Sequence, residues 1–231
     1  MLKIISHRGA AGLAPENTLA GIEAAIKNKA DVIEVDIQLT SDDRLVLIHD
    51  ENLARTAGDS RKVRELKLKE INLIQTISGQ PIPTLEEALE TAGTKPLLID
   101  CKGADWAPPL AKVIDQHNKS KPLVASSSFQ ELVIFRNLRP DTATFYSELT
   151  KPFEAIQTAK VLKFTGVCLL YSLYNPLVYF LAKRYKLKMT MFTVNRPLVA
   201  KFLHLLYPKA MITTDYPDKV RARKHLRRRS K

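Results

Sequence analysis

The amino-acid sequence predicts an α/β protein of the (β/α)8 TIM-barrel class, and three observations carry that expectation. Eight short β-rich runs alternate with segments of helical period. The chain has 231 residues, the size of one large barrel. No Gly-, Ser- or Pro-rich linker divides it, so one domain is expected over residues 1–220, followed by a basic tail at 221–231.

The barrel strands are expected at 2–6, 32–39, 97–102, 123–126, 143–146, 166–170, 188–194 and 211–213, where short apolar runs are bounded by turn residues. After the first, Pro15-Glu16-Asn17-Thr18 opens a helix whose Leu19, Ile22, Ile26 and Ala30 recur at helical spacing. The second strand leads through a Ser-Asp-Asp-Arg turn into an extra strand at 45–49, a hairpin extension of the barrel. Residues 51–80 are polar and weakly periodic, and are expected to form a short insertion over the barrel mouth. Thr84 followed by Glu87 is a capping box that starts the next helix. Near the far end, Leu177, Phe180, Leu181 and Tyr185 predict another apolar helix face.

Composition narrows the function. Seven positive charges of a net +12 lie in the tail, at Arg221, Arg223, Lys224, Arg227, Arg228, Arg229 and Lys231. Such an end is expected to be a solubilising segment with weak attraction to anionic membranes, and no specific nucleic-acid partner is expected. Cys101 and Cys168 are far apart and lie in apolar runs, which predicts two reduced, buried thiols. The N-terminus reaches functional-looking residues too soon for a signal peptide, and no apolar run has the length of a membrane span. A cytoplasmic protein is therefore expected, at most peripheral to the membrane, as a monomer or homodimer.

The chemistry is concentrated near the N-terminus. In VIEVDIQL, Ile33, Val35, Ile37 and Leu39 alternate with Glu34, Asp36 and Gln38, so one strand face is apolar and the other carries carboxylates. Inside a barrel, two like charges so close raise each other's pKa unless a cation neutralises them, and an all-oxygen donor set favours Mg2+ or Ca2+. Taken alone, the pattern also fits a solvated edge strand. In LLIDCKG the alternation recurs and sends Asp100 and Lys102 the same way. His7 and Arg8 follow the first strand and His49 follows the hairpin strand, positions at which barrels display catalytic groups. Gly9 and Gly12 are expected to let the following loop approach a phosphate.

At these residues the chain resembles the glycerophosphodiester phosphodiesterase family. The matching elements are His7-Arg8-Gly9, Pro15-Glu16-Asn17-Thr18, the Glu34-x-Asp36 strand, Thr40, His49-Asp50, Arg55-Thr56, the run from Ile82 to Glu87, Asp100-x-Lys102, Ser127-Ser128-Phe129, Thr193-Val194-Asn195 and Thr214-Asp215-Tyr216-Pro217. The resemblance implies a TIM barrel that hydrolyses glycerophosphodiesters to sn-glycerol 3-phosphate and an alcohol, with one bound Ca2+ or Mg2+. It assigns Glu34, Asp36 and Asp100 to the metal, His7 and His49 to acid–base catalysis, and Arg8 and Lys102 to phosphate binding. Glu16 and Asn17 join the substrate-binding set as a site-shaping loop. Three departures stand out: Asp100 replaces a glutamate and sets its carboxylate back by one methylene, Arg44 replaces a turn glycine, and Ala57 replaces a threonine.

Two other readings fit the sequence. Trp106, Leu170, Tyr171 and Tyr174 near predicted strand ends would suit a lysophospholipase D with a lipid-binding cleft. A non-catalytic barrel binding membrane or nucleic acid through its basic tail is the other, although such a module needs none of the five residues His7, His49, Glu34, Asp36 and Lys102.

Overall fold

A computed structural model describes residues 2–117 and 119–221. The strands are β1 (Ile4–Ser6), β2 (Val32–Leu39), β3 (Leu45–Leu47), β4 (Leu97–Cys101), β5 (Leu123–Ser126), β6 (Ala143–Glu148), β7 (Gly166–Leu170), β8 (Lys188–Phe192) and β9 (Met211–Thr214). Among the described residues, eight of them form a parallel ring that closes where β1 pairs with both β9 and β2. β3 stands outside the ring, antiparallel to β2 with Ile37 opposite Leu47. The fold is thus the expected (β/α)8 barrel with its hairpin extension.

The helices are α1 (Leu19–Lys27), α2 (Ala54–Ala57), α3 (Leu68–Ile71), α4 (Leu85–Ala92), α5 (Ala107–Gln116), α6 (Phe129–Leu138), α7 (Pro152–Val161), α8 (Pro176–Arg184), α9 (Pro197–Leu206) and α10 (Pro217–Arg221). Local sequence explains their starts. Thr18 caps α1 by accepting from the Gly21 N–H at 3.1 Å. Thr84 and Glu87 bond reciprocally at α4, as the capping box requires. Pro152, Pro176 and Pro197 sit in the first turns of α7, α8 and α9, where a missing N–H costs nothing.

Strand alternation builds two cores. Ile33, Val35, Ile37 and Leu39 of β2, with Leu97, Ile99 and Cys101 of β4, pack outward against the helices. Ile5, Val32, Leu98, Ala125, Phe145 and Cys168 fill the base of the lumen. Both cysteines are free and buried, and burial pushes the Cys168 thiol up to about 12. The insertion at 51–80 holds α2, α3 and a 3-10 turn at Val63–Glu65, and has its own apolar cluster of Val46, Ile48, Leu53, Val63, Leu66, Ile71 and Ile82.

One expectation is corrected here. Of the expected apolar face of α8, Leu181 and Tyr185 pack against the core beside the buried Val178 and Ala182, while Leu177 and Phe180 are exposed. Gly9 and Gly12 stand where a side chain has no room. A Cβ at Gly9 would lie 2.8 Å from the Gly21 backbone of α1, and one at Gly12 would lie 2.4 Å from the Tyr216 ring. Arg221, the first residue of the expected tail, ends α10 and pairs with Asp31. The rest of the tail, 222–231, lies outside the described residues.

Candidate active site

At the carboxyl ends of the strands, a cleft of about 270 Å3 gathers His7, Arg8, Glu34, Asp36, His49, Asp100 and Lys102. These are seven of the nine site residues expected from the sequence. β2 and β4 are neighbours in register, with Asp36 opposite Asp100, so the two carboxylate faces reach one cavity. One oxygen from each of Glu34, Asp36 and Asp100 lies within 4.8 Å of the others. The shorter Asp100 side chain therefore still reaches the trio.

The charges here are unevenly balanced. The Lys102 ammonium lies 2.6 Å from Asp100 Oδ2 and 3.0 Å from Asp36 Oδ1. Burial disfavours its charge, but the two carboxylates outweigh burial and hold Lys102 firmly protonated. Asp36 is likewise desolvated, yet the charges of Lys102 and Arg8 and a hydrogen bond from Asn17 keep its carboxyl below the usual range. Glu34 is 5% exposed and, among the described residues, makes no ion pair with a Lys or Arg side chain. Burial, reinforced by the charge of Asp36, pushes it up to about 8. An under-compensated buried carboxylate in an all-oxygen trio fits a hard divalent cation.

Each histidine is held by a carboxylate. His7 Nδ1 lies 2.6 Å from Asp215 Oδ1, and Asp215 Oδ2 accepts from Asn195 Nδ2 at 2.5 Å. Burial disfavours the His7 imidazolium, but the hydrogen bond to Asp215 and the charges of Glu34 and Asp215 outweigh it and raise its pKa. His49 Nδ1 lies 2.7 Å from Asp50 Oδ1. Asp50 Oδ2 accepts from Arg55 Nε at 2.5 Å, Arg55 donates to Glu16 Oε1 at 2.6 Å, and Arg8 donates to the same Glu16 oxygen at 3.1 Å. A chain of ion pairs thus runs from His49 to Arg8 along the rim.

Glu16 and Asn17 are not among the residues lining the cleft. Glu16 braces Arg8 and Arg55. Asn17 is buried, donates to Asp36 Oδ2 and accepts from the Asp36 backbone N–H, both at 3.0 Å. Arg8 and Asn17 occupy left-handed backbone at φ 48° and 53°, a conformation costly for side-chain-bearing residues and concentrated at functional sites. The Arg8 N–H donates to Glu34 Oε2 at 2.6 Å.

Sequence reasoning gave no role to Asp50, Arg55, Asn195 or Asp215. Asp50 had a local signal, its adjacency to His49. Asp215 lay in the matching run Thr214-Asp215-Tyr216-Pro217, but nothing local linked it to His7, which it meets across 208 residues through the β1–β9 closure.

The four apolar residues offered for a lipid-binding cleft are absent from its lining. Trp106 is buried against Phe135 with ring centroids 6.0 Å apart, and the Tyr174 hydroxyl donates to the Thr190 carbonyl at 3.0 Å. Tyr171 is exposed, and Leu170 is half-buried. None of the four reaches the cleft, so they lend no support to a lysophospholipase D.

The Glycerophosphoryl diester phosphodiesterase family matches residues 7–219, nearly the whole described chain. The chain belongs to this family. A Bacillus subtilis (strain 168) protein, YhdW, provisionally named a glycerophosphodiester phosphodiesterase, is 33% identical over 233 residues, covering 93% of this chain and 95% of that one. A second Bacillus subtilis (strain 168) protein, named glycerophosphodiester phosphodiesterase, is 32% identical over 61% of this chain and 57% of its own. Among solved structures, an Oleispira antarctica phosphodiesterase in complex with the product sn-glycerol-3-phosphate superposes with a TM-score of 0.87 at 26% identity, covering 94% of each chain. Among the described residues, no helix of this phosphodiesterase-family barrel is long and apolar enough to cross a membrane.

Proposed function

We propose that this protein is a metal-dependent hydrolase that cleaves glycerophosphodiesters to sn-glycerol 3-phosphate and an alcohol. The observation that carries the reading is the convergence of two carboxylate-held histidines, an arginine, a lysine and a carboxylate trio on one cleft, in a chain of this family. Glu34, Asp36 and Asp100 would hold one Ca2+ or Mg2+, which when bound supplies Lewis-acid polarisation of a phosphoryl oxygen. Arg8 and Lys102 present cationic groups to the phosphodiester. Arg8 is steadied by Glu16, and Lys102 by Asp36 and Asp100.

Proton traffic falls to the histidines. Asp215 favours the His7 imidazolium, which suits His7 to protonate the departing alcohol oxygen. Asp50 orients His49, which suits it to take the proton from the attacking oxygen. That oxygen belongs to water or to the substrate's own glycerol hydroxyl.

Purified protein should release sn-glycerol 3-phosphate from glycerophosphocholine, glycerophosphoethanolamine or glycerophosphoglycerol. The activity should be lost to a chelator and regained with Ca2+ or Mg2+. Release from none of these diesters would refute the proposed function, and release unaffected by chelation would refute the metal role. An acylated lysophosphatidylcholine in the same panel separates this reading from a lysophospholipase D.

A further inference from the structure

The solvent face of the α8–α9 quadrant has an unusual chemistry. In α9, Ala200 and Leu203 face the barrel, while Leu198, Phe202 and Leu205 recur at helical spacing on the opposite side and are 80%, 60% and 78% exposed. Leu206 is 46% exposed beside them. On the neighbouring α8, Leu177 and Phe180 are exposed, and the two helices are tied by Tyr179 packing on Tyr207 with ring centroids 5.1 Å apart. An apolar stripe of this extent on a helix exterior contributes nothing to the barrel core.

The same stretch of chain is free of acid. Residues 155–214 contain no Asp or Glu and nine Lys or Arg, where the chain's average composition would place about six acids. All nine cations are exposed. Several gather at the amino ends of the strands, where Lys3, Lys183, Lys186, Lys188 and Lys209 line a concavity of about 820 Å3. The acid in that concavity, Asp31, is already paired with Arg221.

From this juxtaposition we infer that the α8–α9 face and the adjoining lysine concavity form a docking surface for an anionic phospholipid bilayer. Exposed Leu and Phe flanked by Lys and Arg, with no acid between, match a surface that offers negative headgroups above an apolar interior. A second copy of this chain laid face to face would set like charges together. A nucleic acid would use the cations and leave the apolar stripe in water. The docking face lies on the barrel wall and at the amino ends of the strands, so the cleft at the carboxyl ends stays open to solution.

The test is co-sedimentation of the full-length protein with vesicles of phosphatidylcholine alone or mixed with phosphatidylglycerol. Binding is expected to the mixed vesicles only, and to weaken as salt screens the headgroups. The variant F202S/L205S should bind at least ~10-fold more weakly, with unchanged circular dichroism and unchanged turnover of any soluble diester the natural chain hydrolyses. Failure of the natural chain to sediment with the anionic vesicles would overturn the inference. So would undiminished binding by F202S/L205S, which would place attachment in the basic tail. A natural chain that elutes as a dimer, separates on F202S/L205S substitution and ignores vesicles would assign the face to a second copy instead.

Discussion

Replacing Asp215 by asparagine tests the proposed role of His7 as the acid. The carboxylate lies 2.6 Å from His7 Nδ1, and its other oxygen is held by Asn195 Nδ2 at 2.5 Å. Asparagine preserves shape and the Asn195 contact if its oxygen keeps that bond, which turns an NH2 group toward His7. Nδ1 must then act as acceptor, and the proton that Asp215 stabilised is lost. A charge-assisted hydrogen bond at a mostly buried site is worth about 1.5–3 kcal/mol. At about 1.4 kcal/mol per tenfold, kcat should fall roughly 10- to 150-fold at neutral pH. The pH profile gives the sign. With a raised pKa, His7 is protonated and active below that value, and kcat declines as pH rises through it. In D215N the decline should begin at lower pH, and the His7 resonances should titrate lower by NMR. Stability follows the same linkage: the Asp215–His7 contribution is full below the ordinary histidine pKa of 6.5 and disappears as pH rises through the raised value. The melting-temperature gap between D215N and the natural protein should therefore close toward alkaline pH. Unchanged kcat together with an unmoved His7 titration would refute the reasoning.

Other outcomes follow from the geometry. H49A should lower turnover by about 10²- to 10⁴-fold while leaving Ca2+ binding by calorimetry intact. D36N should weaken Ca2+ binding at least ~10-fold, because it removes the trio member shared by Asn17, Arg8 and Lys102. G9A should destabilise the fold by ~2 kcal/mol or more, read as a lowered urea midpoint, since Gly9 has φ +81° and no room for a Cβ. R55A should leave thermal stability nearly unchanged, its ion pairs being half-exposed, yet reduce kcat by up to ~10-fold by freeing Asp50 and Glu16.

The barrel was legible because its strands carry period-two patterns that need no distant partner to interpret. In β2 the pattern alone separated the helix-facing Ile33 and Val35 from Glu34 and Asp36. The carboxylate trio was legible for the same reason, since Asp100 repeats that alternation on the next ring strand. Positioning residues were harder. Asp215 and Asn195 act on His7 through ring closure, and no local pattern encodes a contact between opposite ends of a chain. Glu16 and Asn17 were assigned to substrate by resemblance to the family's site-shaping loop, and their hydrogen bonds to Arg8 and Asp36, which join distant segments, had no signal in the sequence. The outward face of α8 was misread because helical period reports that a stripe is apolar, not whether the barrel or the solvent receives it.

The insertion between β3 and α4 behaves as a cassette. Its apolar residues satisfy one another in a cluster of their own, which also takes in Val46 and Ile48 at the hairpin. Its ties to the histidine side of the cleft run through the Arg55 guanidinium, held by Asp50 and Glu16. Substitutions or length changes elsewhere in the cassette can therefore remodel the rim without disturbing the strand faces that carry the carboxylates. The barrel and the cassette thus pack as separate cores, and Arg55 links the cassette to His49 through Asp50 by charge rather than by shared apolar packing.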